Sequence, residues 1–158
     1  MSINFFKDFL SILNNRVLLI AFLAWTVNQG IKLILFYMAD NKWDWGRIFG
    51  AGGMPSTHSA LSVSVAVSIG FLEGWDTSLF ALAGVFAVVV MADAAGVRRA
   101  TGEQAKILNK LISLFSKDAR FKSERMEELI GHTLFEVIMG AIIGFLTATI
   151  LSILFLAI

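Results

Sequence analysis

Residues 133–158 read TLFEVIMGAIIGFLTATILSILFLAI, a largely apolar stretch in which Glu136 is the only charged residue. A helix needs about 20 predominantly apolar residues to cross a bilayer, and this stretch exceeds that length. Three further apolar segments lie at residues 17–38, 59–72 and 78–95, of which the last two are short for a span. The sequence therefore predicts an all-α integral membrane protein with about four transmembrane helices. The alternative, a buried helical hairpin in a soluble protein, needs less sustained hydropathy.

The composition of the whole chain agrees with a membrane protein. Of its 158 residues, 57% are hydrophobic and 16% are charged, whereas charged residues make up about a quarter of a soluble domain. The length fits a single domain, residues 1–158. The net charge of +1 predicts no nucleic-acid partner, and the absence of cysteine excludes disulfides, thiolate nucleophiles and cysteine-ligated metals.

Basic residues in the loops predict the orientation. Ten Lys and Arg residues lie in the first and third loops, against two near the N-terminus. The positive-inside rule then places these loops in the cytoplasm and both termini outside. We expect a multi-pass protein of the cell membrane, in bacteria the inner membrane. Residues 1–16 predict an interfacial helix, and residues 101–128 predict a cytoplasmic amphipathic connector drawn to anionic lipid, with a plain solvated connector as the alternative.

Polar side chains inside the apolar segments mark candidate sites, because they are costly in a membrane. Lys32 shares a helical face of the first segment with Asn28 and Gln29, which we interpret as contacts between helices. Lys32 is either a site residue or a snorkelling side chain with no site. Asp93, near the end of the third segment, needs a cation such as Lys32 or Arg98. It either pins two helices together or joins a phosphate site.

The only two histidines of the chain follow helix-start signals on the same predicted side of the membrane. Residues 50–60, GAGGMPSTHSA, form a Gly-rich turn in which Pro55 suits the first helical turn, and the helix N-terminus beside His58 can bind an anion. His132 and Glu136 are one helical turn apart, so the carboxylate can accept the imidazole N–H and raise its basicity. Together these features predict a phosphate site. A metal site built from both histidines, Glu136 and the aspartate of the third segment is the rival, which neighbouring Lys and Arg side chains would oppose.

Two of these motifs resemble those of the type 2 phosphatidic acid phosphatase superfamily, which also contains vanadium haloperoxidases. Residues 53–59, GMPSTHS, resemble its second motif, P-S-G-H, and GHTxxE at residues 131–136 resembles its third, in which His-x3-Asp closes the site. DAAGVRR at residues 93–99 is similar to the divergent bacterial and plastid branch. The similarity covers about residues 29–144 and implies a phosphatidic acid phosphatase-like helical bundle. Because family members usually have six helices, a homodimer could complete that bundle.

By this resemblance the chain is a metal-independent phosphoric monoester hydrolase that needs no cofactor. His132 would attack phosphorus and form a phosphohistidine, Glu136 would orient His132, and His58 would protonate the leaving alkoxide. Thr57 stands where the family has Gly, and Glu136 where it has Asp. The arginines of the first and third motifs are absent. The substrate-binding residues would be Lys32, Gly53, Ser56, Thr57, Asp93, Arg98 and Arg99, with one of the two arginines on the phosphate.

These inferences predict a lipid-phosphate phosphatase with its active site on the cytoplasmic side. Its substrate would be a phosphomonoester or diphosphate, such as phosphatidylglycerophosphate, phosphatidate or a prenyl phosphate. The alternative is a non-catalytic membrane protein that binds anionic lipid or a partner through the same pocket. A small transporter is a third reading, which the lack of an internal repeat disfavours.

Overall fold

The computed structural model describes residues 11–41, 43, 53–115 and 132–157, and for residues 97–101, 114 and 115 it describes the backbone alone. Within these ranges the chain forms a short 3-10 turn, Ile12–Asn14, and α-helices without any strand. The helices are α1 (Arg16–Asp40), α2 (Thr57–Glu73), α3 (Ser78–Ala95), α4 (Val97–Phe115) and α5 (Leu134–Ala157). The prediction of an all-α protein is confirmed, and the four apolar segments correspond to α1, α2, α3 and α5.

Short polar side chains start these helices and explain where they begin. Asn15 and Thr77 each accept a hydrogen bond from the amide three residues later, at 3.1 and 3.2 Å. Ser56 caps α2 in the same way, so that helix begins at Thr57. The prediction that Pro55 occupies the first helical turn is therefore wrong. Ser56 takes the capping position, and Pro55, which has no N–H to donate, lies just outside the helix.

Three of the described helices, α1, α3 and α5, are long and apolar enough to cross a membrane. The remaining apolar segment forms α2, which has 17 residues. At 1.5 Å per residue it is about 25 Å long, somewhat shorter than a hydrocarbon core of about 30 Å. It packs against α1, α3 and α5. The predicted span at residues 59–72 is thus a helix at the centre of the bundle. That this helix crosses the membrane stays a prediction.

Serine side chains are buried along α2, and most of them bond to the helix itself. The hydroxyls of Ser62, Ser64 and Ser68 donate to the carbonyl oxygens three residues earlier, at 3.4, 2.8 and 3.0 Å. Such bonds satisfy a hydroxyl without a partner on another helix. A helix with this many polar residues can therefore lie inside an apolar bundle.

Two glycines allow α5 to approach α2 closely. A Cβ added at Gly140 would overlap the carbonyl oxygen of Ser56, and a Cβ added at Gly144 would overlap that of Ala60. Small residues at a helix contact are typical of membrane proteins, where close backbone approach replaces the hydrophobic driving force. The two glycines therefore serve the close packing of α5 against α2.

The two predicted amphipathic segments are partly described. Of residues 1–16, the first ten lie outside the described ranges, and the remainder forms the 3-10 turn leading into α1. Of residues 101–128, those up to Phe115 belong to α4, which already begins at Val97, and residues 116–128 lie outside the described ranges. The described part of this segment is therefore helical, and its position on the cytoplasmic surface stays a prediction.

Candidate functional site

His132 lies immediately before α5 and is held by Glu136 of the first helical turn. The His132 Nδ1 atom lies 3.1 Å from Glu136 Oε2, and only 3% of the histidine is exposed. A carboxylate at Nδ1 keeps the proton on that nitrogen, so Nε2 retains its lone pair. The structure therefore brings together the predicted nucleophile and its predicted orienting acid.

Glu136 also caps its own helix. Its Oε2 accepts the Thr133 amide at 2.9 Å, while the Glu136 amide donates to Thr133 Oγ1 at 3.3 Å. This reciprocal pair is a capping box, and it fixes the carboxylate before any ligand binds. Sequence reasoning missed the role of Thr133, although the Thr-x-x-Glu spacing that signals it is present.

His58 lies in the first turn of α2 and faces His132. The two ring centroids are 6.0 Å apart, with an angle of 66° between the ring planes. His58 is partly exposed, whereas His132 is buried. Two imidazoles at this separation can address a single phosphate-sized group from different directions.

Backbone hydrogen bonds between helix ends set the separation of the histidines. The Ser56 amide donates to the Glu136 carbonyl oxygen at 3.0 Å, which joins the start of α2 to the start of α5. The His132 amide donates to the Ala94 carbonyl oxygen at 3.2 Å, which joins the start of α5 to the end of α3. The site thus depends on three helix ends that meet at one end of the bundle.

Lys32 reaches this site from within α1. It is 3% exposed, so it is enclosed by protein and does not extend along the surface as a snorkelling side chain would. Its ammonium interacts electrostatically with the Glu136 carboxylate. A Cβ built at Gly53 would lie 3.1 Å from Lys32 Cε, and Gly53 has a φ of +87°, a conformation that favours glycine. The Gly-rich turn and the lysine are therefore neighbours.

Asn28 and Gln29 hold the turn that precedes α2. Asn28 Nδ2 donates to the Pro55 carbonyl oxygen and to Thr57 Oγ1, both at 3.4 Å. The Thr57 hydroxyl in turn donates to Gln29 Oε1 at 3.2 Å. The interpretation of Asn28 and Gln29 as contacts between helices is confirmed. Their contacts also show that α1 positions the segment bearing His58.

Two predicted substrate-binding side chains make bonds within the protein. Ser56 is fully buried, and its Oγ accepts bonds from the amide and the hydroxyl of Ser59 at 3.4 and 3.1 Å. Thr57 is held by α1, as described above. Any ligand contact at this turn would therefore come chiefly from backbone N–H groups at the start of α2, which suit an anion.

The remaining predicted residues lie at the end of α3 and the start of α4. Asp93 is exposed, next to the buried Ala94 that bonds to His132. Arg98 and Arg99 belong to the first turn of α4, and their side chains lie outside the described part of the structure. Among the described residues, no group of three or more His, Asp or Glu side chains could hold a metal ion.

Comparison with known proteins shows the family of this chain. Residues 13–147 match a family model described as the Divergent PAP2 family, and this range contains both histidines and Glu136. The uncharacterized membrane protein YuiD of Bacillus subtilis (strain 168) is 35% identical over 158 aligned residues, covering 93% of this chain and 100% of that protein. No solved structure matches the chain. Because the family model matches most of the chain and a membrane protein is 35% identical over nearly its whole length, this chain is a membrane protein that belongs to the Divergent PAP2 family.

Proposed function

We propose that this protein hydrolyses the phosphate ester of a membrane lipid through a phosphohistidine intermediate, without a metal or another cofactor. The observation that carries the proposal is the pairing of His58 with His132 at 6.0 Å, with Glu136 on the Nδ1 side of the latter. An oriented imidazole beside a second imidazole supplies a nucleophile and an acid–base partner. Membership in a phosphatase-related family supports the same reaction class.

The reaction has two steps. First, His132 Nε2 bonds to phosphorus while the ester P–O bond breaks, and the leaving alkoxide takes a proton from the His58 imidazolium. Second, neutral His58 removes a proton from water, the water oxygen bonds to phosphorus, and the P–N bond to His132 breaks. Inorganic phosphate is released and both histidines return to their first state. Glu136 stabilises the positive charge that His132 carries as an intermediate.

Positive groups around the histidines would hold the phosphoryl oxygens. Lys32 supplies a buried ammonium, and the first turn of α2 supplies backbone amides and the positive end of the helix dipole. Arg98 or Arg99, in the first turn of α4, would add a further positive charge to the phosphate site. These groups would act most strongly on the transition state, in which negative charge on the phosphoryl group is being redistributed.

The substrate would be a phosphorylated lipid in the cytoplasmic leaflet. The site lies at the end of the bundle from which the predicted cytoplasmic loops emerge, and those loops carry most of the basic residues. Phosphatidylglycerophosphate, phosphatidate and prenyl phosphates all present a phosphate at this depth. The lipid tail would enter sideways between the helices while the headgroup reaches His132.

Phosphate release by the purified protein tests the proposal. The panel would contain phosphatidylglycerophosphate, phosphatidate, and prenyl mono- and diphosphates, each assayed with EDTA. We expect EDTA-resistant release from at least one lipid and a loss of about 10⁶-fold in His132→Ala, since removing a covalent nucleophile has effects of this order. Acid-labile labelling from a ³²P-lipid should be present in the wild type and absent in His132→Ala.

A control on folding keeps the result interpretable. Gly84→Ala changes a position at which an added Cβ meets no atom within 4 Å, so it should retain full activity. If folded wild-type protein releases no phosphate while both it and His132→Ala bind the lipid equally, the non-catalytic reading is correct. That reading has support in the Ser56 and Thr57 side chains, which already bond within the protein.

A further inference from the structure

The helix α4 has one apolar face that the described protein leaves uncovered. Ile107, Leu108 and Leu111 are 62%, 42% and 45% exposed. At 100° per residue these three side chains lie within one sector of the helix, as expected for an amphipathic helix. In contrast, Gly102 and Ala105 are buried on a neighbouring sector. The exposed apolar sector, which we call the α4 apolar face, therefore needs another environment than water.

The position of α4 limits what that environment can be. Only Gly96 separates the end of α3, a helix able to cross a membrane, from the start of α4. Among the described helices, α4 contacts α3 alone. Because the preceding span ends at a bilayer surface, α4 begins at that surface, on the same end of the bundle as His132.

The charged residues along one edge of α4 indicate which kind of membrane surface the helix contacts. Lys106 and Lys110 are one turn apart and exposed, beside the α4 apolar face. The Lys106 ammonium is 3.4 Å from the Glu103 carboxylate, in an exposed pair that bulk solvent and salt screen. A row of lysines next to an apolar sector is the pattern of helices that lie in the interface of anionic membranes.

We infer that α4 lies in the bilayer interface, with Ile107, Leu108 and Leu111 among the acyl chains and Lys106 and Lys110 at anionic headgroups. This inference is independent of the proposed reaction, because it concerns a surface outside the histidine site. It would also fix the end of α3 that holds His132. The occupant of the α4 apolar face is thus lipid, and neither a protein partner nor a second copy of the chain.

Single-cysteine labelling tests the position of the helix, because the full chain contains no cysteine. Ile107→Cys and Leu111→Cys would carry a polarity-sensitive fluorophore in proteoliposomes, with Lys106→Cys and Lys110→Cys as matched positions on the polar edge. We expect lipid-borne quenchers to act on the first two labels and aqueous iodide to act on the second two. Iodide quenching of all four would overturn the inference. Protection of the first two from both quenchers would also overturn it, since protein would then cover the face.

A second experiment tests whether α4 prefers anionic lipid. With the Leu111→Cys label, vesicles of phosphatidylcholine alone are compared with vesicles that also contain phosphatidylglycerol. A lysine at an anionic surface changes a binding equilibrium about fivefold, so the anionic lipid should increase quenching of this label by lipid-borne quenchers. Replacing Lys106 and Lys110 by Gln should remove this difference, and replacing both by Arg should keep it. Equal quenching in both lipids for the wild type would refute the preference for anionic lipid.

Discussion

Replacing Gly140 with Ala should damage both the stability of the bundle and its site. A Cβ at this position would overlap the Ser56 carbonyl oxygen and would lie 3.0 Å from the Ser56 carbonyl carbon and 3.1 Å from its amide nitrogen. Ordinary carbon contacts are about 3.5–4.0 Å, so α2 and α5 must separate by roughly 1 Å. Overpacking of this kind costs about 1–3 kcal/mol, which corresponds to a fall of roughly 2–12 °C in melting temperature.

The same displacement acts on the chemistry. The Ser56 amide bonds to the Glu136 carbonyl oxygen at 3.0 Å, so moving Ser56 shifts His58 relative to His132. A misplacement of about 1 Å can lower a rate about 100-fold. Melting by differential scanning fluorimetry and phosphate release would be measured together, with Gly84→Ala as the control. Unchanged melting and unchanged release in Gly140→Ala would refute the close contact between α2 and α5.

Three further changes test separate parts of the site. Thr133→Val removes the cap of α5 and should cost about 1 kcal/mol in unfolding free energy, whereas Thr133→Ser should retain it; chemical denaturation in detergent would measure both. Asn28→Ala removes the amide that donates to the Pro55 carbonyl oxygen and to Thr57 Oγ1, so its melting temperature should fall, and an unchanged melting temperature would contradict the hydrogen bonds assigned to Nδ2. Lys32→Gln should weaken competitive inhibition by inorganic phosphate about 10- to 100-fold, because a charge-assisted hydrogen bond contributes about 1.5–3 kcal/mol, and an unchanged inhibition constant would exclude Lys32 from the phosphate site.

The sequence predicted the helices well because hydropathy in a membrane protein is a long and nearly uninterrupted signal. The predicted segment 78–95 coincides with α3, and the segment 133–158 differs from α5 by one residue at each end. The segment 59–72 is short for a span, and the serines within it lower its hydropathy. Their hydroxyls bond within the helix, and this compensation is invisible in a count of apolar residues.

The histidine site could be predicted in composition and only partly in geometry. A spacing of four residues is enough to suggest the pair of His132 and Glu136, and the structure forms it with His132 just before α5 and Glu136 in the first turn of that helix. The contact of His58 with His132 depends on how α2 packs against α5, which no local pattern specifies. The bond of Thr57 to Gln29 depends on packing in the same way, because it forms only when the turn is folded against α1. The bond of Ser56 to Ser59, in contrast, is local to the start of α2.

Glu136 performs three tasks at once, and this has a consequence for reading evolution in such proteins. Its carbonyl oxygen anchors α2, its carboxylate closes the cap of α5, and the same carboxylate holds His132. A relative without catalytic activity would still be selected to keep this acid, because losing its carboxylate would remove part of the cap of α5. A glutamate kept at this position therefore indicates common ancestry and a need for folding. Whether His58 and His132 are both kept is the better indicator of whether a relative retains the reaction.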